Sequence, residues 1–122
     1  MPPRPQNTYE KYHAHVYFGA ETVAQAKHLC TQAGLKFGVT VGRVHEKLVG
    51  PHPHWSCQLA FDRHQFESLI PWLEAHREGL DILVHGLTGN DLADHTDHAS
   101  WLGNATPLRL EMFQRPQPLN PS

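Results

Sequence analysis

The sequence lacks both a long apolar run and an excess of charge of either sign. The apolar segments among its 122 residues are too short to cross a membrane, and the first residues, MPPRPQNTYEKY, lack the apolar stretch of a signal peptide. The formal net charge of −2 provides no basic surface for nucleic acid. We therefore expect a cytoplasmic protein that has neither nucleic acid nor a membrane as a partner.

Cysteines and phosphate-binding motifs are also scarce. Cys30 and Cys57 are the only cysteines, and in the cytoplasm two buried free thiols are the favoured interpretation over a disulfide or a metal pair. Neither Gly-Lys-Ser/Thr nor G-x-G-x-x-G occurs, which argues against a phosphate loop. The length suits a single domain. We assign a flexible N-terminal arm to residues 1–11, the domain to residues 12–113 and a proline-rich tail to residues 114–122.

Histidine, by contrast, is abundant, with eleven copies in 122 residues. Such an excess of imidazoles indicates metal binding or acid–base chemistry. The stretch Asp81–Gly103 concentrates them: it holds three histidines and four aspartates. Because hydrophobic burial does not require this composition, we interpret the stretch as part of a functional site.

The order of predicted elements is β-α-β-β-α-β. Strands are predicted at residues 12–18, 35–49, 55–61 and 80–85 from their β-forming residues. Capping-box patterns at Thr22 with Gln25, and at Asp62 with Gln65, predict two helices that end near Gly34 and Gly79, with a kink or a late start caused by Pro71. This order is typical of an α+β, ferredoxin-like fold, in which a four-stranded antiparallel sheet carries two helices on one face. Residues 108–113 could add an edge strand or an arm that binds a partner.

The first strand separates its side chains by chemistry. Its period of two places His13, His15 and Tyr17 on one face and the apolar residues on the other, against the helices. The same alternation puts His85 of the fourth strand on the face away from the helices. Since the first and fourth strands are neighbours in this topology, His15 and His85 should share that open face.

Each candidate site also has an ordinary alternative. His13 and His15 can grip one metal ion or lie on a surface. His52 and His54, held in the stiff turn GPHPH, are either solvated or presented as a ligand or base. His95 and His98 are either surface residues of an acidic helical turn or imidazoles whose tautomers the nearby aspartates fix.

Trp101 would line an aromatic pocket. Three cations are expected near the open face: Arg43, Lys47 and Arg109. Each is either a surface charge or the partner of a substrate carboxylate.

Three motifs in order carry a family resemblance. They are YHAHVYF at residues 12–18, VGPHP at residues 49–53, and LVHGLTGNDL at residues 83–92 followed by DHTDHASWLG at residues 94–103. Together they resemble the DOPA 4,5-dioxygenase family of fungal and small bacterial proteins, and the similarity runs from about Tyr12 to Leu110. The chain departs from the family at Gly86 and Asn90, where proline and aspartate are usual.

The resemblance implies extradiol cleavage of DOPA or a related catechol by O2, with non-haem Fe(II) as the cofactor and a muconic-semialdehyde, seco-DOPA-type product. Zinc or nickel would also suit imidazole ligands in a purified sample. The residues that match are His15, His52 and His85, assigned to the metal. Either these three histidines hold it, or a carboxylate joins as in many iron oxygenases, the candidates being Asp91, Asp94 and Glu46.

The acid–base group is expected to be His13, His95 or His98, with Trp101 and Arg43 in contact with the substrate. A bare sheet face would need a second chain to exclude water, so we expect a homodimer that forms through the open face. The rival interpretation is a non-enzymatic module that binds a metal or a small ligand on the same fold, because a fold alone does not determine function.

Overall fold

The structure, a computed structural model, describes residues 2–114 as one five-stranded antiparallel sheet with helices. The strand order is β2-β3-β1-β4-β5. The strands are β1 (Lys11–Phe18), β2 (Thr40–His45), β3 (Trp55–Asp62), β4 (Ile82–Gly86) and β5 (Ala99–Leu102), and the helices are α1 (Val23–Phe37), α2 (Arg63–His76), α3 (Asp91–Asp94) and α4 (Glu111–Gln114).

The pairing of β1 with β4 is confirmed, with His13 directly opposite His85. The prediction of four strands is wrong, because β5 extends the sheet beyond β4 and pairs Leu83 with Trp101. This strand is only four residues long and directly follows a polar loop. Its backbone becomes a strand because it has the edge of β4 as a hydrogen-bonding partner, which no local pattern reveals.

The two faces of the sheet have the predicted character. The apolar residues of β1, including Ala14 and Val16, pack with α1 and α2 into the main core, which also buries the two thiols of Cys30 and Cys57. Both cysteines are free, as predicted. A second, smaller apolar cluster lies on the opposite face and consists of Tyr17, Leu83, Ala99 and Trp101, with Leu108 packed against it.

Helix α1 differs from its prediction at both ends. The Thr22 side chain makes no cap hydrogen bond with the helix, and its Oγ1 instead accepts one from the Gly19 amide at 2.9 Å. Gly34 does not end the helix, which continues to Phe37 and stops at Gly38, whose φ of 72° is left-handed. A Cβ at Gly34 would lie 2.8 Å from Val41 Cγ2, so this glycine allows the helix to approach β2 closely. The second strand therefore begins only at Thr40.

Helix α2 begins as predicted. Asp62 accepts hydrogen bonds from the amides of His64 and Gln65, and the Gln65 side chain completes the capping box. Pro71 lies inside the helix and does not delay its start, and the helix is capped at Arg77, before Gly79. No helix within residues 2–114 has the length and apolarity that crossing a bilayer requires.

The second face of the sheet is not bare. The chain itself covers it with the turn at residues 49–54, with α3 and with α4, which places Phe113 against His95. The predicted edge strand at residues 108–113 is absent from the described part of the chain, since residues 111–114 form a helical turn. Because this cover comes from the same chain, a second chain is not needed to bury His15, which is 6% exposed, or His85, which is 2% exposed.

Candidate metal centre

Two strands and one turn bring three imidazoles together on the second face. His15 of β1 and His85 of β4 approach with their Nε2 atoms 3.1 Å apart. The ring of His52 lies 4.1 Å from that of His15, centroid to centroid, and all three side chains are buried. His15 is therefore a neighbour of both His52 and His85, although these three residues do not together form a group whose ligand nitrogens all lie within 4.8 Å of one another.

The turn before β3 sets the position of His52. The His52 amide donates to the Val49 carbonyl at 3.1 Å, and the preceding residue, Pro51, accepts a backbone hydrogen bond from Arg109 at 2.7 Å. On the other side of the ring, Nδ1 lies 2.7 Å from the hydroxyl of Tyr17. The turn is thus attached to both β1 and the chain after β5, which orders the imidazole before any ligand arrives.

His85 and His95 share a tautomer that suits metal binding. Nδ1 of His85 lies 3.0 Å from the Gly86 carbonyl, and Nδ1 of His95 lies 2.7 Å from the Asp91 carbonyl. Since a carbonyl oxygen only accepts, each Nδ1 carries a proton, and in the neutral form of such a ring the lone pair is on Nε2. Metal-ligating histidines usually donate their other nitrogen in this way.

His95 was not among the predicted ligands, but it joins the cluster. Its ring centroid lies 4.4 Å from that of His85 and 5.0 Å from that of Phe113, on which it stacks. His95 is the C-terminal cap of the short helix α3, which therefore determines its position. Asn90 caps this helix by accepting a hydrogen bond from the Ala93 amide.

Asp94 is buried and links α3 to the loop that follows β4. It is 2% exposed, and its carboxylate accepts hydrogen bonds from the Thr88 amide at 3.1 Å and the Thr88 hydroxyl at 2.5 Å. The bonds tie the loop after β4 to α3 and so fix the start of the turn that carries His95. Its oxygens are engaged with the protein, while the other two predicted carboxylates, Asp91 and Glu46, are exposed.

Burial keeps the central imidazoles uncharged. Loss of solvent lowers the pKa of His52 and of His85 to about 4 in each case, and the repulsion of neighbouring imidazoles adds to the effect. Burial also lowers the pKa of His15 well below its usual range, with His52 and His85 as further causes. Burial similarly lowers the pKa of His13. These rings are therefore neutral at pH 7, which is the form that binds a metal.

The donor set fits a divalent transition metal. Two groups each bring three ligand nitrogens within 4.8 Å of one another: His13, His15 and His85 form one, and His15, His52 and His95 form the other. Two nitrogens on one ion at about 2.1 Å each are separated by roughly 3 to 4 Å, so little movement would be needed. Neither group contains a carboxylate. Imidazole nitrogens suit iron, zinc and nickel alike.

The predicted acid–base histidines are placed differently from one another. His13 is half-buried, and its ring lies 5.6 Å from that of His85. His98 is exposed and lies outside both groups, with its Nδ1 2.9 Å from the hydroxyl of Tyr9. Only His13 and His95 therefore belong to the cluster itself.

The two residues predicted to contact the substrate lie on different strands of the sheet. Trp101 is 5% exposed and packs against Tyr17, with ring centroids 6.0 Å apart, in the second apolar cluster. Arg43 is exposed on β2, two strands away from β1. A role in binding substrate stays a prediction for both residues.

Sequence reasoning assigned no role to Tyr17 or Phe113, although both contact the cluster. The alternation of β1 did place Tyr17 on the same face as His13 and His15, so that signal was available. Burial raises the pKa of the Tyr17 phenol above its ordinary value, which keeps it a neutral hydrogen-bonding partner for His52. No local signal could connect Phe113 with His95.

Fold and site together define a class: a small α+β protein with a buried histidine cluster that can hold a metal ion. Comparison with known proteins makes the identification specific. The profile of the Dopa 4,5-dioxygenase family matches residues 12–112, so the chain belongs to that family.

Individual relatives agree with this placement. A DOPA 4,5-dioxygenase of Amanita muscaria is 32% identical over 110 residues, which cover 83% of this chain and 48% of the relative. An uncharacterised 21.2 kDa protein of Botryotinia fuckeliana is 36% identical over 81 residues, or 60% of this chain and 44% of that protein. The chain thus spans about half the length of these curated relatives. A crystal structure of a candidate dioxygenase from Nostoc punctiforme superimposes with a TM-score of 0.84 at 42% identity, covering 88% of this chain and 93% of the other.

Proposed function

We propose that this protein is a metal-dependent extradiol dioxygenase that cleaves the ring of DOPA or a related catechol with O2. The observation that carries the proposal is the buried convergence of His15, His52 and His85. Membership of the Dopa 4,5-dioxygenase family and the similarity to the Amanita muscaria enzyme support the activity. The product would be a muconic semialdehyde of the seco-DOPA type.

Non-haem Fe(II), when bound, supplies a site for both catechol hydroxyls and the redox chemistry toward O2. The chain's own contribution is to provide His15, His52 and His85 as neutral donors in a place that excludes water. Their low exposure removes competing solvent and strengthens each electrostatic interaction inside the site. The Gly86 carbonyl, which accepts from His85 Nδ1, holds that ring in the tautomer with a free Nε2.

Proton transfer falls to an imidazole at the margin of the cluster. His13 is half-buried beside His85, so it can contact a bound diol and also exchange its proton with solvent. His95 is partly exposed too, but it is fixed by Asp91 and Phe113. We propose that His13 or His95 accepts the proton of a catechol hydroxyl, and that His98, which is bonded to Tyr9, acts from farther out.

A binding module is the second candidate, and one observation favours it. Neither of the two histidine groups includes a carboxylate, whereas the usual iron site of oxygenases combines two histidines with one carboxylate. An all-imidazole set is equally suited to holding zinc or nickel without redox chemistry. An assay of O2 uptake in the presence of catechols separates the two functions.

We expect the protein, loaded with Fe(II) under argon, to consume O2 when air is admitted in the presence of DOPA. Ring opening should produce a yellow chromophore together with O2 uptake, because the product has an extended conjugated system. Caffeate and protocatechuate serve as catechols without the amino group. The measurement is simultaneous O2 polarography and absorbance spectroscopy.

Two comparisons complete this assay. His13→Gln should retain iron but reduce turnover by about 100-fold to 10,000-fold, the usual contribution of a general acid or base. His64→Gln, on the exposed start of α2, is the matched control and should turn over like the wild type. Metal binding without O2 uptake on any of the three catechols would contradict the dioxygenase and support the binding module.

We also propose that the protein forms a homodimer, although burial of the histidine cluster does not require one. A partner is no longer needed to bury His15 and His85, so a dimer on this face of the sheet would form through the outer surface of the covering segments, where Met112 of α4 is exposed. We expect twice the chain mass of 13.8 kDa by light scattering at micromolar concentration. A monomeric mass with full activity would disprove it.

A further inference from the structure

The cover on the second face of the sheet is incomplete over β3. His15 and His85 are buried, but Gln58, which pairs with His15 in the register of β1 on β3, is only half-buried. Ala60 of the same strand is also half-buried, and so is its own partner, His13. Directly opposite residues of an antiparallel pair point to the same face. A partly open strip of the sheet therefore lies beside the histidine cluster, on the side toward β2.

A β-bulge in the edge strand β2 lies at this strip. The register of β2 on β3 shifts between Val41 and Val44. Two residues of β2, Gly42 and Arg43, therefore oppose the single residue Gln58 of β3. Bulges bend a strand and redirect a side chain, and they are frequent next to active sites.

The two valines that flank the bulge both face the helices. Val44 packs against the main core, and Val41 lies close to α1. Strict alternation would not place these valines on the same face, because they are three positions apart. Between them, a Cβ at Gly42 would lie 3.5 Å from Gln58 Cβ, so this position faces Gln58 and the strip. Arg43 is thus the residue at which the alternation of β2 is broken.

Arg43 brings to the strip a positive charge that no ion pair of the described chain balances. Within residues 2–114 it belongs to none of the ion pairs, whereas Arg4, Arg63 and Arg77 are each paired with a glutamate. The planar guanidinium presents a fork of N–H donors that matches a carboxylate. Gln58, opposite the bulge, has an amide that can donate to the same group. The strip therefore offers donors for an anion.

The other two cations that the sequence singled out have different surroundings. Arg109 lies in the segment after β5, and its amide is bonded to the Pro51 carbonyl of the covering turn. Lys47 lies two residues beyond the end of β2. Of the three cations, Arg43 is the one that belongs to the sheet carrying the cluster.

The sheet sets the span between Arg43 and the cluster. β3 separates β2 from β1, and neighbouring strands lie about 4.8 Å apart, so the backbone of Arg43 is roughly 10 Å from that of His15. A single-ring diol at the cluster would extend over Ala60 and Gln58, with its substituent directed toward β2. The side chain of such a ligand and that of Arg43 can together bridge the gap.

We propose that the bulge turns Arg43 onto the second face, where its guanidinium and the amide of Gln58 bind the carboxylate of an acid-bearing catechol. The protein would then select catechols whose side chain ends in a carboxylate over neutral ones. The diol part of the ligand rests on the proposed function. The anion site rests on the bulge, on the half-buried strip and on the unbalanced charge of Arg43.

The test measures binding without turnover. The zinc-loaded protein is titrated calorimetrically under argon, because zinc suits imidazole ligands and has no redox chemistry. The two probes are 3-(3,4-dihydroxyphenyl)propionate and 4-ethylcatechol, which differ by the carboxylate alone. We expect the wild type to prefer the acid by about 10-fold to 100-fold, the range that hydrogen bonds to a charged group contribute.

Arg43→Gln should reduce this preference to within about 3-fold, while the affinity for 4-ethylcatechol stays unchanged because that ligand has no carboxylate. Arg43→Lys keeps the charge but loses the planar fork, so its preference should be intermediate. Gln58→Met should reduce the preference by about 3-fold to 10-fold, since it removes one donor. Lys47→Gln is the matched control: it removes the same charge next to β2 and should bind both probes like the wild type.

Equal affinities of the wild type for the two probes would overturn the anion site and leave the proposed function standing. A preference that survives Arg43→Gln, or that Lys47→Gln reduces equally, would show that overall charge and not this site selects the acid. Failure of both probes to bind the wild type at millimolar concentration would contradict the anion site and the catechol-cleaving function together.

Discussion

Replacing His15 by alanine is expected to abolish stoichiometric iron binding. His15 is the one residue common to both groups of converging nitrogens, so no ion can use either group without it. Removing even an outer hydrogen-bonding partner of a metal ligand usually costs about 10-fold to 100-fold in affinity, and removing the ligand itself should cost more. The measurement is iron content after anaerobic loading and desalting, together with an affinity titration.

The same experiment distinguishes the predicted ligand set of His15, His52 and His85 from the two groups, neither of which contains both His52 and His85. If His15, His52 and His85 hold the metal, His52→Ala and His85→Ala should also lose iron, whereas His95→Ala should keep it. His64→Ala is the matched control, because His64 is exposed on α2. Full iron occupancy in either His15→Ala or His85→Ala would show that the ligand assignment is wrong.

The sequence was sufficient to predict the strand that carries His15, because its alternation is local. Every second residue of β1 is apolar and buried against the helices, so the register of His13 and His15 followed from the period of a strand. The capping box at Asp62 was equally local, since all its hydrogen bonds lie within four residues. The approach of His15 to His85 then followed from topology alone.

Features that depend on distant partners were not predictable. Gly34 has the sequence signature of a helix end, but it serves instead the close packing of α1 on Val41. The entry of His95 into the cluster depends on Phe113, eighteen residues later in the chain, and on the bonds between Asp94 and Thr88. Chain segments of this kind acquire their structure from tertiary contacts rather than from propensity.

The expectation of a bare sheet face was wrong, because segments outside the four predicted strands and two predicted helices cover that face. Here a proline turn and two helices of four residues each perform that task. The consequence is chemical as well as structural. Burial of the imidazoles within one chain makes their neutral form a property of the folded monomer, and acid should therefore oppose folding.

We expect the metal-free protein to lose stability steeply as the pH falls from 7 to 5. In the unfolded chain these histidines titrate near pH 6.5, whereas burial lowers the pKa of His52 and His85 to about 4 in the folded protein. Below pH 6.5 the unfolded state therefore binds protons that the folded state does not. Stability is complete above pH 6.5 and declines as the pH falls toward 4, by about 1.4 kcal/mol per pH unit for each such imidazole.

For His52 and His85 together, the loss between pH 7 and pH 5 is on the order of 3 to 4 kcal/mol, a large part of the roughly 5 to 15 kcal/mol that stabilises a typical domain. Urea unfolding at the two pH values measures it. His85→Gln removes one titrating group and should reduce the slope, whereas His64→Gln at an exposed position should leave it unchanged. Equal free energies of unfolding at pH 7 and pH 5 would mean that the imidazoles are hydrated or charged in the folded protein. The site would then lack the preformed neutral donors on which the proposed metal chemistry depends.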